Sequence, residues 1–160
     1  MKKVLIALDY NPSAEYIAES GYALAKSMGA EIILMHVVVE PAYYSSLDYS
    51  PVMGFSGFSS PEMLMLVDST EIKNASREFL EQSKKHLGDE QITTLVAEGD
   101  PADAILETAK ELGINIIVMG THSRRGLDKI LMGSIAEKVL RHAEIPMYII
   151  PTKSVTEKAD

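Results

Sequence analysis

The sequence predicts an α/β protein: a single-domain, open, parallel five-stranded sheet with helices on both faces. Short β-branched apolar runs alternate with segments of 3.6-residue apolar spacing from end to end, the order expected of strand–helix crossover units. One run, Glu31 to Val39, is almost continuously apolar, as a parallel strand buried on both faces must be. The 160 residues are 46% apolar and 24% charged with no linker dividing them, which fits one domain able to bury its own core.

Val4 to Leu8 is the first strand, stopped by Asp9. After Asn11-Pro12-Ser13, apolar residues at Ala14, Ile17, Ala18, Gly21, Leu24, Ala25 and Met28 predict a helix that Gly29 closes. Glu31 to Val39 is the second strand, Ile72 to Leu87 a helix ending at Gly88, and Gln91 to Ala97 a weaker third strand. Asp100-Pro101 supplies an N-cap and a first-turn proline for a helix whose stripe is Ala102, Ile105, Leu106, Ala109 and Leu112, with Gly113 as its stop. Ile114 to Met119 is the fourth strand, Ser134 to His142 the last helix, and Met147 to Ile150 a fifth strand between Pro146 and Pro151. The domain is expected over 1–152, with a polar tail over 153–160.

Composition removes several classes of function. Cysteine is absent, which excludes disulfide scaffolds, thiolate nucleophiles and sulfur-ligated metals. With 23 acidic against 15 basic side chains the formal charge is -8, so nucleic acid is not an expected partner. The longest apolar run, Ile32 to Val39, is interrupted by His36 and far shorter than the about 20 residues of a membrane-spanning helix. The apolar run after Met1-Lys2-Lys3 is too short for a signal peptide, so no membrane insertion and a cytoplasmic location are expected.

The chemistry is expected at the carboxyl ends of the strands, where open parallel sheets bind ligands. Strand one ends in Ala7-Leu8-Asp9, strand two near Val38, and strand four in Met119-Gly120. From Thr121 to Leu131 there are three basic residues, Arg124, Arg125 and Lys129, against the one acid Asp128. That local excess of positive charge, followed by a helix N-terminus at Ser134, predicts an anion site. Simpler roles stand beside it: Ser134-x-x-Glu137 is also a capping box, Asp9 could cap the first helix, and the two arginines could be a solvated pair. No phosphate loop of the G-x4-G-K-[ST] type, no G-x-G-x-x-G and no nucleophile elbow occur. The histidines His36, His86, His122 and His142 form no H-x3-H pair, so no helical metal site is expected, and His36 reads as a satisfied core histidine. Pro41 to Pro61 carries Tyr43, Tyr44, Tyr49, Phe55 and Phe58, too long a stretch for a plain connection, and predicts a lid near the adenine end or a partner-docking surface, with a plain cover over a hydrophobic helix face as the alternative.

Gly120-Thr121-His122-Ser123, nine residues, then Gly133-Ser134 resembles the G-x2-G-x9-G-[ST] motif of ATP-binding universal stress proteins, with Ser123 in place of the second glycine. The segment Ser134 to Ala143, the strand around Met147 and Gly99-Asp100-Pro101 resemble the same family. The resemblance implies an adenine nucleotide alpha hydrolase-like sheet of order 3-2-1-4-5. It implies ATP as ligand, with Mg2+ or Mn2+ on the phosphates, and a homodimer through Met147 to Ile150. By similarity, Asp9 binds the ribose or adenine side, backbone near Val38 contacts the adenine, and Gly120, Ser123, Gly133 and Ser134 cradle the phosphates. Ala7, Leu8, Met119, His122, Arg124, Ile135 and Ala136 complete the nucleotide-binding residues that the resemblance implies. The implied role is a stress-response nucleotide sensor with slow hydrolysis at most, since no general base is evident. A dimeric interaction protein that binds a simple anion or no nucleotide is the alternative. A left-handed serine costs roughly 1–2 kcal/mol, and its hydroxyl returns about 0.5–1.5 kcal/mol in a phosphate hydrogen bond, so ATP binding is expected to survive at Ser123.

Overall fold

The computed structural model describes residues 1–10, 12–39, 69–121 and 132–152. In chain order the elements are β1 (Lys3–Ala7), α1 (Ala14–Ser27), β2 (Glu31–Val38), α2 (Ser69–Leu87), β3 (Thr93–Glu98), α3 (Pro101–Glu111), β4 (Ile116–Gly120), α4 (Ser134–His142) and β5 (Met147–Ile150). The five strands form one parallel sheet of order β3-β2-β1-β4-β5. The stretch 40–68, including the predicted lid, and the tail 153–160 lie outside the described residues.

Alternating side chains of the strands sort the core into two layers. Leu5, Ile33, Met35, Val37, Ile117 and Met119 pack on Ala102, Ile105 and Ala109 of α3 and on Ala136 and Val139 of α4. On the opposite face Val4, Ile6, Ile32, Leu34 and Val118 meet Ile17, Ala18 and Ala25 of α1 and Leu80 of α2. The β3 strand is only half-buried along its middle, because it lies at a sheet edge, and this dilutes its apolar pattern in the sequence.

The element ends shift for local reasons. Asp89 holds a turn by accepting from the Gln91 N–H through its side chain (2.9 Å) and from the Ile92 N–H through its carbonyl (3.3 Å), so β3 starts at Thr93 rather than Gln91. Ile114 is buried but belongs to the turn after α3, donating its N–H to the Ala109 carbonyl at 2.8 Å, and β4 starts two positions later than its hydropathy indicates. Gly29 and Gly113 end α1 and α3 at φ 62° and 65°, the left-handed conformation expected of these stops.

Gly21 permits α1 to approach the sheet. A Cβ there would lie 2.8 Å from Ile6 Cδ1 and 3.0 Å from Val118 Cγ1, across the β1–β4 pair. We expect Gly21→Val to lower the unfolding free energy by about 1–3 kcal/mol, since overpacking forces the sheet side chains off their rotamers. A urea midpoint that falls at unchanged slope is the signature; an unchanged midpoint would contradict this packing.

Candidate functional site

The chain order reverses between β1 and β4, which pair in parallel with Val4 opposite Ile116 and Ile6 opposite Val118. From β1 the crossovers proceed one way to β2 and β3, and from β4 the other way to β5. The connections leaving these two strands therefore part company, and the carboxyl ends of such a strand pair are where open parallel sheets bind ligands.

At the β1 side, Ala7 closes the strand opposite Met35, and Leu8 donates its N–H to the Met35 carbonyl at 2.8 Å. The Leu8 side chain is in the core and its carbonyl faces His36 Nδ1 at 2.8 Å, so Leu8 anchors the strand end. Asp9 stands immediately beyond, part-buried, with one carboxylate oxygen accepting the Tyr10 N–H at 2.8 Å. The N-cap of α1 is Ser13, not Asp9, so the simple capping role for this aspartate is not the one it has. Val38 ends β2, its side chain buried and its carbonyl accepting from the Gly99 N–H at 3.1 Å.

At the β4 side, Met119 is a core residue and Gly120 ends the strand opposite Ile150. The demand on Gly120 is steric. A Cβ would sit 2.6 Å from Ile17 Cδ1 and 2.7 Å from Thr152 Cγ2. His122, Ser123 and Arg124, with the rest of the stretch 122–131, lie outside the described residues. The chain re-enters at Gly133, whose N–H donates to the Thr121 carbonyl at 2.6 Å and so fastens the two ends of that stretch together. Gly133 is the N-cap of α4 with extended backbone, φ -69° and ψ 159°, and its carbonyl accepts from the Glu137 N–H. Ser134 is thus the first helical residue and does not form the capping box that its spacing to Glu137 offered. The N–H groups of Ser134, Ile135 and Ala136 have no acceptor within the helix and point out of its positive end. Ala136 is itself buried in the core, so what it can offer a ligand is its backbone.

Sequence reasoning missed several residues here. Thr152 opens the polar C-terminal stretch, yet it is 1% exposed: its N–H donates to Thr121 Oγ1 at 3.1 Å, and the two hydroxyl oxygens are 3.2 Å apart. Beneath Asp9, the Tyr10 ring stacks obliquely on His36, centroids 4.5 Å apart, and on Phe79 of α2 at 4.8 Å. Ser76 donates to the Ile72 carbonyl at 2.9 Å, which leaves Tyr10 as the donor in its 2.9 Å bond to Ser76. Burial pushes the Tyr10 phenol up to about 12, so it stays protonated. His36 is a core histidine, as expected, but its buried Nε2 has no hydrogen-bond partner among the described residues. Burial holds its pKa below the usual imidazole range against the opposing pull of Asp9, and the neutral ring gives its Nδ1 proton to Leu8.

The universal stress protein family model matches residues 1–151. The chain belongs to this family. It is 32% identical over 152 residues to universal stress protein MJ0531 of Methanocaldococcus jannaschii, covering 93% of this chain and 81% of that protein. It is 27% identical to universal stress protein MJ0577 of the same organism, covering 96% of each. The solved structure of MJ0577 superposes at a TM-score of 0.70 with 25% identity, covering 94% of this chain and 95% of that one. A universal stress protein crystallised in complex with cAMP shares the fold at a TM-score of 0.62 and 21% identity, covering 94% and 97% of the two chains.

The buried histidine gives this universal stress protein a pH signature. The unfolded chain protonates His36 near pH 6.5 while the folded chain resists it, so the contribution of His36 to stability is present above that pH and is lost as pH falls through it. His86, whose pKa is raised by its bond to Glu19 and by Glu15, acts in the opposite direction on the surface. We expect His36→Gln to show a smaller loss of urea midpoint between pH 7.5 and 5.5 than the wild type. Equal losses would mean that His36 titrates alike in both states.

Proposed function

We propose that this chain is a cytoplasmic stress-response protein that binds ATP at the carboxyl ends of β1 and β4, with occupancy rather than turnover as its output. The observation that carries this reading is the tie between Gly133 and Thr121, which holds the open N–H groups of Ser134, Ile135 and Ala136 beside the end of β4. A helix N-terminus in that position favours phosphate. Asp9, just beyond the end of β1 and not the N-cap of α1, is the proposed contact to the ribose hydroxyls, and Val38, at the end of β2, the proposed border of the adenine end. Mg2+ or Mn2+ fits such a site chiefly through the phosphate oxygens, where it would neutralise their charge. A family relative's complex with cAMP, also an adenine nucleotide, agrees with this ligand class.

Gly133→Val combined with Ser134→Ala is expected to abolish ATP binding by calorimetry while leaving the circular dichroism spectrum and melting temperature near those of the wild type. Ser123→Gly in the same assay is expected to change affinity by no more than about tenfold in either direction. Wild-type chain without measurable ATP affinity, alongside tight binding by Ser123→Gly, would transfer the function to the interaction-protein alternative.

The edge position of β5 favours self-association as well. One side of this strand pairs with β4, and the other has no neighbouring strand among the described residues, beside Tyr148, which is 41% exposed. A homodimer through Met147–Ile150 follows, and Ile149→Lys is expected to convert it to a monomer in light scattering. A wild-type monomer at micromolar concentration would remove this assembly.

A further inference from the structure

A second group of chemically active side chains stands on the seam between α1 and α2. Glu15 and Glu19 lie one turn apart on α1, and His86 comes from the last turn of α2. The His86 Nε2 is 3.0 Å from a Glu15 oxygen and 2.8 Å from a Glu19 oxygen, and the three ligand atoms lie within 4.8 Å of one another. Further along the same seam, Lys26 and Tyr22 of α1 meet Asp89, an ordinary lysine–carboxylate pairing. Glu15 and Glu19 have no such lysine or arginine among the described residues. Their two negative charges face at most one positive charge on the imidazole, so the cluster keeps an excess negative charge even when His86 is protonated.

We propose that Glu15, Glu19 and His86 bind a divalent first-row transition cation of the Zn2+ type, through one imidazole nitrogen and two carboxylate oxygens, with solvent completing the shell. The donor set separates this site from an ordinary acidic patch. Carboxylates alone suit Mg2+ or Ca2+, whereas an imidazole nitrogen directed between them selects for Zn2+ over Mn2+ and Mg2+. Metal–ligand distances of about 2.0–2.2 Å place tetrahedral ligands about 3.3 Å apart, so the two nitrogen–oxygen separations need to open by only a few tenths of an ångström. All three side chains are exposed and can make that adjustment by rotation. The cation enters as His86 releases its shared proton to solvent, and the bound ion then joins α1 to the end of α2.

The test titrates ZnCl2 into the nucleotide-free 160-residue chain by calorimetry, so it does not depend on the ATP reading. One ion per chain is expected, with a rise in melting temperature and weaker binding of MnCl2. His86→Gln, and separately Glu15→Gln with Glu19→Gln, are expected to lower Zn2+ affinity at least tenfold. His142→Gln, at an exposed position of α4, is expected to leave it unchanged. Lack of saturable binding, equal affinity in His86→Gln, or an equal loss in His142→Gln would overturn the proposal. Melting curves of the metal-free variants confirm that each remains folded.

Discussion

The burial of β1 between β2 and β4 is the constraint on which the rest of the structure depends. Val4, Leu5 and Ile6 are fully buried, two facing α1 and α2 and one facing α3 and α4, so this strand belongs to both core layers. Its neighbours on either side are reached by crossovers in opposite directions, and that reversal is what makes the carboxyl ends of β1 and β4 the candidate site. Displacing β1 would cost both layers and the site together. The small residues around it, Gly21 and Gly120, show how closely α1 and the C-terminal segment approach the β1–β4 pair.

Beyond the strand ends the structure changes from apolar packing to specific hydrogen bonds. The Gly133–Thr121 bond, the Thr121–Thr152 pair and the Leu8–His36 contact each join separate segments of the chain near the carboxyl ends of β1 and β4. Buried polar groups of this kind add little net stability when satisfied and are costly when left alone. Against that background the Nε2 of His36 stands out, a basic nitrogen beside Tyr10 and Phe79 that has no partner among the described residues.

On the outside, charge pairs tie the helices to one another with much weaker effect. Lys138 of α4 reaches both Asp100 and Asp103 of α3 at 3.2 Å, but all three are about half-exposed and water screens them. Asp100 does more as the N-cap of α3, accepting the Asp103 N–H at 3.0 Å, and that bond is the leading cause of its lowered pKa. On the opposite face, the two glutamates and the histidine of the α1–α2 seam repeat this ratio of two carboxylates to one basic group, also at exposed positions.

The sequence by itself determined the elements and their class. Apolar period, Asp100-Pro101 and the terminal glycines act over a few residues, so α1, α3 and α4 were legible nearly to the residue, as were β2 and β5. The strand-end location of Asp9 and Gly120, and the spacing from Gly120 to Ser134, were legible for the same reason, being positions along one chain. What each residue does there was decided only by the tertiary structure. Asp9 is not the N-cap of α1, Gly120 is required by Ile17 and Thr152, and the polar Thr152 after β5 is buried. His86 meets Glu19 from 67 positions away. Such contacts depend on sheet order and on how far each helix is displaced along its neighbour, and no local pattern of side chains encodes that displacement.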